Sequence, residues 1–292
     1  MRRSLFPYAL IAPALAVTVL VIFLPILQTA VMSLFSFILW KPRDTRFILL
    51  ANYLAALKDP VFWISLKHTA IWVAVTVSLQ LLLGFAAALL LNREFCWRGL
   101  ARSLILIPWV TPSVITALMW RWMVDGNNGV INDLLVRLGL LKSYFPWLAG
   151  GGTALGTIMV ALMWQGFPFF AIMILAGLQA IPGELYEAAE VDGATLGQKF
   201  FRITLPLLVP VLFTSILLRI IWVANSMDVI YVMTGGGPGY STHTLPLYAF
   251  IRAYKGMDFG YASALALILT LLLVAFVAWY VAKVLKAEES FG

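Results

Sequence analysis

Six long apolar runs, separated by polar connectors, constrain this chain more than any other feature of its sequence. The runs lie at roughly 8–33, 69–91, 103–124, 153–178, 204–226 and 262–284. Each is long enough to cross the hydrocarbon core of a bilayer, which takes about 20 apolar residues in a helix. A spanning backbone must satisfy its own hydrogen bonds, and the runs are too long and continuous for barrel strands. The sequence therefore predicts an all-α fold, a polytopic transmembrane helical bundle of about six spans.

The composition agrees with a membrane protein and leaves little chain for a soluble domain. Hydrophobic residues make up 62% of the sequence and charged residues 11%, whereas soluble domains carry about 25% charged residues. One transmembrane domain over residues 1–292 is expected. The net charge of +7 is dispersed over the connectors, which indicates contacts with the membrane surface and excludes nucleic acid as a partner.

An even number of spans places both termini on one side of the bilayer, and the basic residues indicate which side. Lysine and arginine are about equally numerous on the two sides. On the side of the termini, among them Arg2, Arg3 and Lys286, they lie in shorter segments and closer to the span ends, where the positive-inside rule is strongest. Both termini are therefore expected in the cytoplasm.

Two prolines four residues apart occur in the third run, Pro108 and Pro112, and again in the fifth, Pro206 and Pro210. Because proline removes a helical hydrogen bond and bends the helix, each pair is expected to tilt one end of its span. Prolines are also common in transmembrane helices without such a role, and both interpretations stay open.

The connector at 179–203 is the most organised polar segment of the chain. Acidic residues come first and basic residues later, and the helix-forming Ala188 and Ala189 lie between carboxylates. The pair Asp192 and Gly193 permits a sharp turn. A proline and an acidic residue at the start of the segment favour the beginning of a helix. The pattern predicts a short helix on the membrane surface, presented to a partner and joined by a turn to the fifth span.

The same stretch resembles the cytoplasmic EAA loop of permease subunits of bacterial ATP-binding-cassette (ABC) importers. The fuller pattern Glu-Ala-Ala-x-x-Asp-Gly-Ala is intact. In that family the loop forms a coupling helix that docks in a cleft of a separate ATPase subunit. The resemblance implies that five residues face the ATPase: Glu187, Ala188, Ala189, Asp192 and Gly193. Glu187 would be the charged contact, and the small residues would allow close approach.

A second stretch makes the resemblance more specific. Residues 219–238, which end in Thr-Gly-Gly-Gly-Pro, and residues 260–264 are similar to permeases for carbohydrates and glycerol phosphates. The resemblance implies a multi-pass subunit of the bacterial inner membrane, in the lipid bilayer beside a second homologous permease subunit, with two ATPase subunits and an extracytoplasmic substrate-binding protein. ATP and Mg would bind the partner ATPase. This chain has no Gly-x4-Gly-Lys-Ser/Thr sequence, so it is expected to bind no cofactor and to catalyse no reaction.

The end of the fifth run carries the candidate substrate pathway. Arg219, Trp222, Asn225 and Ser226 share a broad helical face. An aromatic ring beside polar groups suits a sugar, because it meets both the apolar ring face and the hydroxyls. Arg219 either extends to the outer membrane surface or faces a hydrated pathway, and the sequence leaves both open. The candidate set is completed by Asp228, Tyr231, Gly236 and Pro238.

The glycines at 235–237 and Pro238 must end a helix. A turn outside the membrane accounts for them, and spacing alone favours that interpretation. Irregular backbone at membrane depth is tolerated only where it meets protein or water, and the resemblance favours an outer gate or cavity wall.

Two other classes of function fit the sequence less well. A six-span membrane enzyme has only His68 and His243 as histidines, neither at metal-ligand spacing, and the single Cys96 has no neighbour with which to share a metal. No catalytic and no metal site is therefore expected. A stand-alone secondary transporter would carry ion-coupling carboxylates near the midplane, and none of the 13 acidic residues lies in the middle of a run. Association with an ATPase discriminates among the three classes.

Overall fold

The computed structural model describes residues 6–291, with side chains described at 10–284. Arg2, Arg3 and the side chain of Lys286, used above for orientation, lie outside this part. The helices are α1 Phe6–Thr18, α2 Leu24–Met32, α3 Ala51–Lys58, α4 Pro60–Asn92, α5 Arg98–Leu104, α6 Ile107–Val110, α7 Ser113–Met123, α8 Val130–Arg137, α9 Ala154–Ala180, α10 Gly183–Val191, α11 Leu196–Lys199, α12 Leu205–Asn225, α13 Asp228–Thr234, α14 Leu245–Tyr254 and α15 Phe259–Phe291. Two strands of two residues, β1 Phe35–Ser36 and β2 Arg46–Phe47, pair antiparallel.

The apolar runs are helices, which confirms the predicted all-α membrane fold. Five segments are long and apolar enough to span a bilayer: Leu10–Met32, Pro60–Asn92, Ala154–Ala180, Leu196–Asn225 and Phe259–Val284. The third run is a broken pair, Arg98–Val110 and Ser113–Met123, whose axes meet at 93°. The described residues thus hold five spans, or six if the broken pair counts as one.

The two proline pairs act differently. Pro112 disfavours helical backbone at the residue before it, and Thr111 is extended with ψ 124°. The third span breaks there instead of merely tilting. Pro206 lies at the start of α12, directly after the π-helical segment Phe200–Thr204, and Pro210 lies within the helix. The fifth span continues through both prolines.

The described residues divide into two compact units. One holds the residues up to Trp63 together with Leu245–Val274, and the other holds Ile64–Thr244 with the residues from Ala275. The single domain expected from the sequence stays a prediction.

The first unit is organised around Asp59, just before α4. The hydroxyl of Tyr248 donates a hydrogen bond to the Asp59 carboxylate, and the hydroxyl of Tyr261 donates another at 2.8 Å. Burial would raise the pKa of Asp59, but the hydrogen bonds from Tyr248, Tyr261 and the N–H of Val61, together with the charge of Arg252, outweigh it and the net shift is downward. Burial, followed by the bond to Asp59, raises the pKa of Tyr248 to about 12. These bonds join residues 189 and 202 positions apart in the chain.

In the second unit, α9 packs closely against α4 and α12. A Cβ added at Gly84 of α4 would lie 2.8 Å from the carbonyl oxygen of Phe167. Small residues of this kind allow transmembrane helices to approach closely. The fully buried indole of Trp72 in α4 donates a 3.0 Å hydrogen bond to the carbonyl of Val223 in α12. These contacts fix the end of α12, where the candidate pathway residues lie.

Candidate functional site

A cavity of about 570 Å³ lies between the break in the third span and the end of the fifth. Five of the predicted pathway residues line it: Arg219, Trp222, Asn225, Ser226 and Asp228. The other three do not line it: Tyr231 lies within α13, and Gly236 and Pro238 lie in the turn that follows. Thr111, Pro112 and Ser113, at the break in the third span, also line the cavity.

Arg219 faces this cavity instead of extending to the membrane surface. It is 7% exposed, and its Nε donates a 2.6 Å hydrogen bond to Oε1 of Gln80. Gln80 is fully buried and donates in turn to the carbonyl of Leu162 at 2.7 Å. Gly166 makes room for this pair, because a Cβ there would collide with both the guanidinium and the Gln80 amide.

Within the part of the chain that the structure describes, no carboxylate forms an ion pair with Arg219. Charged side chains within a span are costly unless they face a hydrated cavity or a partner. Of the two interpretations left open by the sequence, the geometry favours the hydrated pathway.

Aromatic rings form one side of the cavity. Trp222 is 46% exposed and meets Phe169 edge to face at 5.2 Å between ring centres. Phe169 meets Trp109, which also lines the cavity, at 5.7 Å. Such rings offer flat apolar surfaces to the faces of a sugar ring.

Polar groups form the rest of the lining. The Ser113 hydroxyl, just past the break, donates to the Asp228 carboxylate at 3.2 Å. Asn225 ends α12, and Ser226 is extended with ψ 119°. The amide of Gln165 donates to the carbonyl of Thr111 at 3.0 Å. Together with Arg219 they present donors and acceptors suited to a molecule rich in hydroxyl groups.

The glycine-rich turn after α13 is tightly packed. Gly235 and Gly236 have φ values of 65° and 98°, a region that favours glycine. The Nδ1 of His243 lies 3.0 Å from the carbonyl oxygen of Gly236, and a Cβ at Gly236 would press on the His243 ring. His68 in turn bonds to the His243 carbonyl at 3.2 Å. The two histidines thus join the turn to α4 at His68. No cluster suited to a metal occurs among the described residues.

The second candidate site is the segment between the fourth and fifth spans, and the short helix predicted there is α10. Its C-terminus is a Schellman motif: the N–H of Ala194 bonds to the carbonyl of Ala189 at 2.8 Å, and that of Gly193 to Glu190 at 3.0 Å. This motif needs a left-handed residue after the helix, and Gly193 has φ 74°. The glycine that follows the glutamate by six positions therefore has a physical reason.

The predicted contact residues are largely accessible. Glu187, Ala188, Asp192 and Gly193 are exposed, and Ala189 is half-buried. A second cavity of about 340 Å³ lies beside them, and its lining includes Ala189, Asp192, Gly193, Gln198 and Arg202. The segment thus presents both a charged helix face and a recess to its surroundings.

The face of α10 that carries Tyr186 and Glu190 is tied to the chain that follows it. Lys199 forms an ion pair with Glu190, and the hydroxyls of Tyr186 and Thr204 lie 2.9 Å apart. The hydrogen bond from Lys199 lowers the pKa of Glu190. α11 begins with a capping box between Thr195 and Gln198.

Several site residues escaped sequence analysis: Gln80, Trp109, Ser113, Gln165, Gly166 and Lys199. A lone glutamine in the second apolar run was a usable signal, because polar side chains within spans face the protein interior. The sequence around Gly166 and Trp109 does not distinguish these two residues from others in their runs.

Known proteins resemble this chain in sequence and in fold. The family model described as "Binding-protein-dependent transport system inner membrane component" matches residues 80–287. The trehalose/maltose transport system permease protein MalF of Thermococcus litoralis is 39% identical over 96% of this chain and 93% of its own. The sulfoquinovosyl glycerol transport system permease protein SmoG of Agrobacterium fabrum is 38% identical over 96% and 90%.

Among solved structures, a bacterial alginate ABC transporter in complex with an alginate pentasaccharide-bound periplasmic protein holds a chain of the same fold. The TM-score is 0.81 at 21% identity, over 94% of this chain and 92% of that one.

Proposed function

Because this chain belongs to the family of binding-protein-dependent transport system inner membrane components, we propose that it forms the pathway through which an ABC importer carries a sugar or sugar-like polyol derivative across the membrane. The observation that carries the proposal is the cavity at the end of the fifth span, where Trp109 and Trp222 stand beside Arg219, Asn225 and Asp228. The stand-alone transporter and the membrane enzyme are set aside, because members of this family work with a binding protein.

The cavity supports a carbohydrate substrate by its chemistry and its size. Its volume of about 570 Å³ falls in the range of about 300–1,000 Å³ of small-molecule sites. The two similar permeases are named for trehalose/maltose and for sulfoquinovosyl glycerol, all of them carbohydrates or carbohydrate derivatives. The proposed contacts are stacking on the tryptophans and hydrogen bonds to the polar residues.

The energy for transport comes, in this proposal, from partner ATPase subunits. The exposed face of α10 docks on an ATPase through Glu187, Ala188 and Ala189, and the Asp192–Gly193 turn lies at the edge of that contact. ATP and Mg bind the ATPase, and this chain is the non-catalytic subunit. α10 and both termini then lie in the cytoplasm.

The remaining partners are a second homologous permease and an extracytoplasmic binding protein that delivers the sugar. The structural neighbour that was solved with a periplasmic protein supports this arrangement. ATP binding favours one of two states of the complex, and the cavity opens to one side in each, because a ligand shifts a two-state equilibrium by its differential affinity.

The test is to purify the chain with its native associates in mild detergent and reconstitute the complex in liposomes. ATP hydrolysis is measured with no binding protein, with sugar-free binding protein and with sugar-loaded binding protein, and uptake of the labelled sugar is measured in parallel. We expect an ATPase to co-purify and its turnover to rise with the loaded protein. A chain that purifies alone and shows no ATP-dependent uptake would contradict the proposal.

A further inference from the structure

Two side-chain bonds tie α10 to the beginning of the fifth span. One joins Glu190 to Lys199, and the other joins Tyr186 to Thr204. Tyr186 and Glu190 project from one face of α10, because residues four apart share a helix face. Lys199 and Thr204 are five positions apart across the π-helical segment, whose i to i+5 spacing brings them to one side. The two bonds therefore act in parallel between the same two elements.

The two partners of the ion pair are buried to different extents. The side chain of Lys199 is 11% exposed and that of Glu190 is 69% exposed. A buried ammonium group is stable only when it is paired, so Lys199 depends on Glu190 more than Glu190 depends on Lys199. Thr204, the partner of Tyr186, is also buried. Both bonds thus anchor α10 to groups fixed in the protein interior.

The covalent connection from α10 to α11 is the four-residue segment 192–195. Asp192, Gly193 and Thr195 are exposed in it, and a Cβ at Gly193 would meet no atom within 4 Å. A few residues at the end of an element are enough to act as a hinge. The cavity of about 340 Å³ beside the turn leaves α10 room to move about this hinge.

We propose that Glu190 and Lys199, together with Tyr186 and Thr204, are positioning residues that pass a movement of α10 to the fifth span. The proposal rests on the proposed function, in which an ATPase moves α10. Successive helical residues are about 100° apart around the axis, so Glu187 lies about 100° from Tyr186 and about 60° from Glu190, beside the face that carries the two bonds. In this proposal the exposed Glu187 meets the partner, and the neighbouring Tyr186 and Glu190 drive α12.

The test uses the complete importer in liposomes and measures the number of sugars transported per ATP hydrolysed. The variant Lys199→Met keeps an apolar stem in the buried position and leaves Glu190 in contact with water, so the fold is retained. In combination with Tyr186→Phe, which removes only the hydroxyl, it breaks both bonds. We expect unchanged co-purification of the ATPase and sustained ATP hydrolysis, with sugar per ATP reduced at least about five-fold, the lower end of typical coupling between sites.

Rescue and control variants separate transmission from general damage. Lys199→Arg keeps the charge and the bond to Glu190, and the exchange Glu190→Lys with Lys199→Glu restores the pair in reverse; both are expected to recover most of the coupling. Lys283→Met, which removes a lysine from the exposed end of the last span, is the matched control. If Lys199→Met is not recovered from membranes, Glu190→Gln, altered at an exposed side chain, takes its place.

The outcomes distinguish this proposal from the function on which it rests. Wild-type sugar per ATP in the double variant overturns the proposal while leaving the importer intact. So does equal loss in the charge-exchanged variant and the double variant, because a pair restored in reverse ought to transmit. A wild-type complex without ATP-dependent uptake instead overturns the proposed function.

Discussion

At the start of the fifth span, the side-chain bonds that hold α10 join residues 9 and 18 positions apart. At its end, Arg219 and Val223 are bonded to Gln80 and Trp72, which lie 139 and 151 positions away. The first region can change without disturbing the packing of the other spans, whereas the second is part of that packing. We therefore expect substitutions near α10 to alter coupling and association, and substitutions around the cavity to alter stability as well as transport.

The largest effect on stability is expected for Gly166→Ala. The new methyl group collides with Arg219 and Gln80. Neither side chain can move away without breaking the hydrogen bonds that fix Gln80 between α9 and α12. We expect a loss of about 3 kcal/mol, the upper end of overpacking costs, measured by thermal unfolding of the purified complex.

The control for this variant is Gly156→Ala on the same helix, where the added methyl meets open space. It is expected to be neutral or to stabilise the helix by up to about 1 kcal/mol. Equal behaviour of the two alanine variants would show that the Arg219–Gln80 pair is not tightly packed against α9.

Asp59 is a second residue held by long-range bonds, because its partners Tyr248 and Tyr261 lie 189 and 202 positions away in the chain. Asp59→Asn removes the charge from both bonds, and we expect a loss of about 2 kcal/mol at neutral pH. Asp44→Asn, an exposed carboxylate of the same unit, is the control and should change stability little. If the two variants unfold alike, the tyrosine bonds do not hold the unit.

The same bonds predict a pH dependence. The pKa of Asp59 is lowered in the folded protein, so its contribution is present above the ordinary carboxyl pKa of about 4 and is lost as pH falls through the lower folded value. The pKa of Tyr248 is raised to about 12, so its contribution is complete below the ordinary tyrosine pKa of about 10 and is lost as pH rises towards the folded value. The difference in unfolding temperature between wild type and Asp59→Asn should therefore be widest near neutral pH and shrink in acid; a difference that stays constant into acid would contradict this assignment.

The two regions also differ in how far the sequence predicts them. α10 and its turn can be predicted from residues close together in the chain, since Asp192 and Gly193 by themselves indicate where the helix ends. The sequence predicts only part of the cavity lining. One helical face of α12 brings Arg219, Trp222 and Asn225 into the cavity, but their partners come from other spans.

The lone glutamine in the second run indicates a buried polar contact, but the local pattern does not indicate that Arg219, 139 positions away, is its partner. Pro112 indicated a bend in the third span, but its 93° break depends on the extended backbone at Thr111. Gly236 and Pro238 are expected at the pathway only from the family resemblance, since spacing alone favours a turn outside the membrane, and they do not line the cavity. The ATPase-facing roles at 187–193 stay predictions.

A smaller effect on stability is expected for Gly193→Ala. The left-handed backbone at φ 74° costs a residue with a Cβ about 1 kcal/mol, and the strain is confined to one exposed turn. Gly197→Ala, in α11 and also free of neighbours, lacks that strain and is the matched control. We expect only Gly193→Ala to weaken co-purification of the ATPase. A cost as large as that of Gly166→Ala would remove the distinction between the local and the long-range region.

The smallest effect on stability, and the sharpest test of the local region, is Glu187→Lys. Glu187 is exposed, so the change should leave the unfolding free energy within about 0.5 kcal/mol. Reversing a charge at a docking surface repels the partner, and we expect the ATPase to dissociate at least about ten-fold more readily in a salt titration of the detergent complex. Lys142→Glu, a charge reversal in a different connector, provides the comparison. A complex that stays intact with Glu187→Lys would mean that Glu187 is not a docking residue, and the proposed distinction between docking and transmitting residues of this helix would fall with it.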